Sequence, residues 1–237
     1  MRALSSSALL NLWERGSGLH SLDRGLLALH TVFPEVPPAN LADWTLGRRN
    51  HALLEMHCSL FGATLQGWTS CVHCGEKMEF EINALELAKQ NLSADLCPQT
   101  VSVDNQHFRL PTTRDLAAIA QASNPAAAAP ELLNLCLTNN REAAPSWSVE
   151  EIENIGVQLA EADPLAEIQI ALCCPTCANE YTEVIEIVSF LWAEIEACAK
   201  RLLWEVHALA TAYGWTEPAV LALSPARRAL YLEMVQA

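Results

Sequence analysis

The chain has 237 residues and a formal net charge of −14, with 51% hydrophobic and 18% charged residues. Such a length builds one large domain or two small ones with a real core. The acidic excess repels a phosphate backbone, and no run of Lys and Arg offers a local exception, so general nucleic-acid binding is disfavoured and basic protein partners are favoured. No segment approaches the roughly 20 apolar residues of a membrane span. The opening MRALSSSALLNLWERG lacks the continuous apolar region and small-residue cleavage site of a signal peptide, so a cytoplasmic protein is expected. Nine cysteines are an odd number. In a reducing compartment they serve as ligands and core residues more often than as disulfides.

In chain order, Leu19, Leu22, Leu26 and Leu29 repeat at helical spacing before FPEVPP breaks the pattern. Leu41, Trp44, Leu53, Leu54, Met56 and Leu60 continue on helical periods, and Gly62 is a plausible stop. Residues 1–62 are therefore expected to hold two or three helices. In TSCVHCGEKMEFEI, Met78, Phe80 and Ile82 alternate with Glu79 and Glu81, the mark of a half-exposed strand. Residues 100–113 read as a strand pair turning at Asp104-Asn105, followed by a short helix capped by Thr112 or Thr113. NPAAAAP reads as a connector and ELLNLCLTN as a short helix. Ser148 with Glu151 forms a capping-box signature ahead of the stripe Ile152, Ile155, Leu159, and Pro164 follows that helix.

Strand character returns with Ile168, Ile170 and Leu172, and again with Tyr181, Ile185 and Ile187. A long helix is expected over 188–213, with the stripe Leu191, Ile195, Cys198, Leu202, Val206, Leu209 and Tyr213. Trp192, Leu203 and Trp204 lie off that stripe, so burial on two sides or against a partner is expected. Gly214 ends this helix. Two short helices follow, one capped by Thr216 and one by Ser224 with Pro225.

The cysteines carry the chemistry. Cys71-Val-His-Cys74-Gly75 and Cys174-Pro-Thr-Cys177 are two CxxC turns in strand surroundings. Each turn aims two sulfurs at one ion, and together they complete a tetrahedral zinc site. The 75–172 segment then becomes an insertion whose ends meet at the metal, longer than the usual ribbon spacing. The alternatives are two unrelated buried cysteine pairs and a redox pair. The redox reading fits poorly, since thioredoxin-like chemistry sets its CxxC at a helix N-terminus. Cys173 is expected to point the other way, into the core. Cys58, Cys97, Cys136 and Cys198 read as core or half-buried thiols, His57 as a helix-face residue, and His73 as a non-ligand inside the first turn. Four thiolates leave no position for water, and no HExxH, GxSxG, P-loop or GxGxxG occurs, so no enzyme is expected. Zinc is the commoner structural choice, with iron left open by the ligand set.

The expected class is mainly α with a small β zinc ribbon. A helical region spans 1–68. The ribbon-like centre takes 69–82 plus 166–187, an insertion 83–165, and a C-terminal helical region 188–237.

These residues also resemble a family. The stretches LGRRNHALLEMHCSLFG, CVHCGEKMEFEI, FRLPTTRDLAAIA and DPLAEIQIALCCPTC, and the whole C-terminal block, look like the T4-type baseplate hub assembly chaperones. That family belongs to contractile phage tails and related phage-tail-like gene clusters. The resemblance runs over nearly all of the chain from about residue 20. It is most specific at Trp192 with Glu194, at His207 to Trp215, and at Leu223-Ser224-Pro225 with Arg227, Arg228, Tyr231 and Leu232. The four turn cysteines match as well. The first turn lacks the typical proline after its first Cys, the second is followed by Ala-Asn where a Gly turn is usual, and 124–147 matches nothing. The resemblance implies a non-catalytic role in tail morphogenesis, with hub or spike proteins as partners. The C-terminal unit, with Trp192, Trp204, His207, Tyr213, Trp215, Arg227, Arg228 and Tyr231, suits a partner-binding surface. The alternative is that its aromatics pack the core. Competing roles are a permanent structural baseplate component and a zinc-ribbon regulator on nucleic acid or transcription machinery, the latter opposed by the charge.

Overall fold

The computed structural model describes residues 4–90, 100–120, 127–138 and 146–236, so the expected thiol Cys97 and the start of the NPAAAAP connector lie outside the described residues. The main core is a helical bundle. Helix α1 (Ser6–Gly16) is capped by the Ser5 hydroxyl, which accepts from the Ala8 amide at 3.2 Å. It buries Leu9, Leu10 and Leu12. Helix α2 (Ser21–Val32) buries Ala28, Leu29 and Val32; Leu19 lies outside it and is exposed. Short α3 (Pro38–Ala42) precedes α4 (Leu46–Phe61), which ends at Gly62 with φ 99°. The N-terminal region thus holds four helices where two or three are expected.

Antiparallel strands β1 (Thr64–Ser70) and β2 (Lys77–Asn83) follow, so the last residues of the expected helical region 1–68 are a strand. Leu65, Phe80 and Ile82 face the bundle. Phe80 and Phe190 lie so close to Gly67 that a Cβ there would meet the Phe80 ring at 2.5 Å. Helix α5 (Ala84–Gln90) then docks on α4.

The insertion has its own core. Strands β3 (Thr100–Val103) and β4 (Gln106–Arg109) turn through Asp104 and Asn105, both left-handed. Helices α6 (Thr113–Ile119), α7 (Ala128–Cys136) and α8 (Val149–Ala162) close over them. Thr112 caps α6 and Ser148 caps α8, each in a complete capping box. Val103, Phe108, Leu110, Leu133, Ile155 and Leu159 form the cluster. Helix α7 begins inside the expected connector. The insertion is tied to the start of α4. The Gly47 amide donates to Asp163 Oδ2 at 2.9 Å, and the Asn50 amide to the Leu165 carbonyl at 2.7 Å.

Strands β5 (Ile168–Cys173) and β6 (Glu180–Ile185) form the third two-stranded sheet. They lead into α9 (Ile187–Tyr213), 27 residues long and closed by Gly214 at φ 69°. Its first half buries Val188, Leu191, Trp192, Ile195 and Leu202 in the bundle against α1, α2 and α4. Its second half receives α10 (Glu217–Leu221) and α11 (Pro225–Gln236) around Leu209, Val220 and Leu232. Helix α11 has 12 residues, longer than the short helix expected. Among the described residues no helix is long and apolar enough to cross a membrane. The architecture is mostly helical with small antiparallel sheets.

Candidate metal centre

The two CxxC turns are the tips of the β1–β2 and β5–β6 hairpins, and the fold brings them together. Each tip is built the same way. In the first, the Cys71 amide donates to the Glu76 carbonyl at 2.8 Å and the Gly75 amide to the Cys71 carbonyl at 2.9 Å. In the second, the Cys174 amide donates to the Asn179 carbonyl at 2.9 Å and the Ala178 amide to the Cys174 carbonyl at 2.8 Å. The residue after the second cysteine is left-handed in both, Gly75 at φ 76° and Ala178 at φ 55°. Glycine adopts this conformation freely and alanine does not, yet the second tip keeps the geometry. A Thr69 hydroxyl donating to Glu183 Oε2 at 3.1 Å links the hairpins beside the tips.

The Sγ atoms of Cys71, Cys74, Cys174 and Cys177 all lie within 4.8 Å of one another. Across the hairpins, Cys71 stands 3.7 Å from Cys177 and Cys74 stands 3.6 Å from Cys174. A disulfide would need about 2.0 Å. Four sulfurs about 2.3 Å from one ion in a tetrahedron stand about 3.8 Å apart. The spacing therefore fits sulfurs around an ion. Cys71 and Cys174 are buried, Cys177 is half-buried and Cys74 is exposed, so the centre sits at the surface with one side enclosed.

The electrostatics point the same way. The amides of Cys74 and then His73 face the Cys71 sulfur and bring its pKa down to about 6. The Asn179 amide favours a Cys177 thiolate, but burial and the three neighbouring sulfurs outweigh it and push that thiol up to about 12. Cys74 is raised for like reasons: the Glu76 amide favours its thiolate, while burial and the Cys174 and Cys71 sulfurs oppose it more strongly. The cluster takes a first negative charge readily and resists the next. A cation at its centre removes that conflict, which is how thiolate sites couple metal uptake to proton release. With four sulfurs bound the coordination shell is full, so a metal held here is structural.

The remaining expected residues scatter. Cys173 is exposed and does not enter the core. Ile168, Ile170 and Leu172 take the inward face of β5, so period-2 alternation sends Cys173 outward with Gln169 and Ala171. Cys136 is buried and Cys58 and Cys198 are half-buried, while His57 is buried with Nδ1 3.1 Å from the Gly62 carbonyl oxygen.

In the C-terminal unit, Trp192 is buried, its ring so close to Gly16 that a Cβ there would stand 2.1 Å away, with the Arg24 guanidinium 4.9 Å from the ring centroid. Arg228 is also buried, donating from Nε to Glu205 Oε2 at 2.7 Å. Neither offers a face to a partner, because each is consumed by packing within the chain. Trp204, His207, Tyr213 and Arg227 are exposed. Trp215 and Tyr231 are half-buried and join Tyr213 in one aromatic cluster, with centroids 4.8 Å and 4.9 Å from Trp215. Leu203, expected to be buried on a second side or against a partner, is exposed, and sequence reading missed the exposed Leu230 and Met234 in the same unit.

Fold and site together define a mostly helical protein with a four-cysteine, ribbon-like centre that fits a structural metal ion. A scan of protein-family models, a search of curated proteins and a search of solved structures each find no match to this chain.

Proposed function

We propose that this chain is a non-catalytic, zinc-stapled protein that binds hub or spike components of a contractile tail or injection-system baseplate and acts in hub assembly in the cytoplasm. The observation that carries the non-catalytic part is the closed set of four sulfurs at the two hairpin tips. Zinc is the ion that most often fills an all-cysteine tetrahedral structural site. The assembly role rests on the resemblance of the chain from about residue 20 onward, outside 124–147, to the hub assembly chaperones. It is supported by an exposed apolar and aromatic surface on the C-terminal unit, where Trp204 is 52% and Met234 65% exposed. Exposed aromatics of this kind are frequent anchors of protein interfaces.

The test is quantitative mass spectrometry of fully assembled particles beside the free-protein pool of the same cells. Absence from particles, with the chain bound to hub subunits in the free pool, is expected. Fixed stoichiometry in particles would make it a permanent baseplate component. Association with neither would overturn the proposal. Trp204→Ala, exposed and outside the buried clusters, should keep the fold and weaken capture of the hub subunit.

A further inference from the structure

We infer that the outer face of the β1–β2 hairpin docks a basic, extended segment of another protein, with Trp68 as its anchor. The hairpin has two unlike faces. The inner one, with Leu65, Phe80 and Ile82, is spent on the bundle. On the outer one, the register sets Gln66 opposite Glu81, Trp68 opposite Glu79 and Ser70 opposite Lys77. Trp68 is 71% exposed at the centre of this face, so it contributes little to the core.

What the face would accept is written in its own contacts. The Lys77 ammonium stands 5.8 Å from the Trp68 ring centroid, within the reach of a cation–π interaction. Glu79 stands opposite Trp68 and Glu81 follows on the same face of β2, and both are exposed. The Gln66 amide donates to Glu81 Oε1 at 2.7 Å, which fixes that carboxylate beside the ring. Gln66, Trp68, Glu79 and Glu81 line a shallow depression of about 270 Å³. An aromatic plane with carboxylates at its side matches a guanidinium, which stacks on the ring and donates to the oxygens at once. The chain's net charge of −14 adds attraction for a basic segment and repels a nucleic-acid phosphate backbone. Sequence reading gave Glu79 and Glu81 only as alternating residues of a half-exposed strand and left Trp68 unassigned. The inference stands apart from the C-terminal surface and does not depend on a tail partner.

The experiment is a fluorescence-anisotropy titration of the full chain against a dye-labelled octapeptide of alternating arginine and glycine. A citrulline-glycine octapeptide, equal in shape but uncharged, serves as comparison. The arginine peptide should bind, more weakly as salt rises, and the citrulline peptide should not. Trp68→Ala and the pair Glu79→Gln with Glu81→Gln should each weaken binding about tenfold. Trp68→Leu keeps an apolar side chain and should also weaken it. The pair Glu150→Gln with Glu153→Gln, exposed acids on α8 with the same change of charge, should leave it within about twofold. Circular dichroism and thiol titration of each variant report whether the hairpin is intact. No binding of the arginine peptide, binding equal for the citrulline peptide, unchanged binding by either Trp68 variant, or equal losses for the two glutamate pairs would overturn the inference.

Discussion

Ala178 shows how single residues set the metal centre. It occupies the left-handed position that Gly75 fills in the other tip, at φ 55°. Ala178→Gly should raise stability by up to about 1 kcal/mol, read as a higher denaturant midpoint with unchanged slope. Asp115 gives a pH dependence. Burial alone would raise its pKa, but the Arg109 guanidinium at 2.6 and 2.7 Å and the Thr112 amide and hydroxyl outweigh burial and hold it below the ordinary 3.8. A depressed folded pKa contributes stability that is present above the unfolded value and lost as pH falls through the folded one. Asp115→Asn should therefore cost about 2 kcal/mol at pH 7, less than a fully buried pair because Arg109 is partly exposed. The gap between wild type and variant should narrow below about pH 4, measured by denaturation across a pH series. Buried Asp163 has the opposite sign, since burial raises its pKa. At this scale the four clustered cysteines were legible, because CxxC spacing is a local rule. The burial of Trp192 and Arg228 was not, because Gly16 and Glu205 meet them only in the folded chain.

At the scale of elements, caps carry much of the information. The Ser148 hydroxyl accepts from the Glu151 amide at 3.2 Å, and Glu151 Oε2 accepts from the Ser148 amide at 2.8 Å. Ser148→Ala should cost about 1 kcal/mol and loosen α8, seen as faster amide exchange in its first turn. The Arg228–Glu205 pair, largely shielded from water, clamps α11 to α9. Arg228→Ala should cost about 2 kcal/mol, since it leaves the shielded Glu205 only the exposed Arg201 at 3.9 Å, and should release α10 and α11 to proteolysis before the bundle. Capping boxes and alternating strands could be read from the sequence because their signals span few residues. Strand β1 could not. Its Leu65 faces the core and its Trp68 faces solvent, with Gly67 between them, so the apolar residues break period 2. Helix α9 was legible in length and in its apolar stripe, but not in the fate of the apolar residues beside that stripe, since Trp192 is buried while Leu203 and Trp204 are exposed.

For the whole molecule, the insertion explains why a ribbon with so long a gap can close. Its own core lets it fold as a unit, and its contacts with Gly47 and Asn50 at the start of α4 return the chain to the bundle. The hairpin after α4 then meets the hairpin before α9, and the sulfurs converge at their tips. The mainly α class with a ribbon-like centre was legible because two CxxC turns in strand settings have few other solutions. The placement of the insertion was not, because it depends on single hydrogen bonds far apart in sequence. The central claim is that a metal ion joins the two tips. Elemental analysis of the purified full chain beside Cys177→Ser tests it most directly, paired with hydrogen exchange before and after a chelator. One zinc per chain, its loss in the variant, and faster exchange in both hairpins on chelation are the expected results. A metal-free chain with four titratable thiols and hairpins already protected would contradict the account.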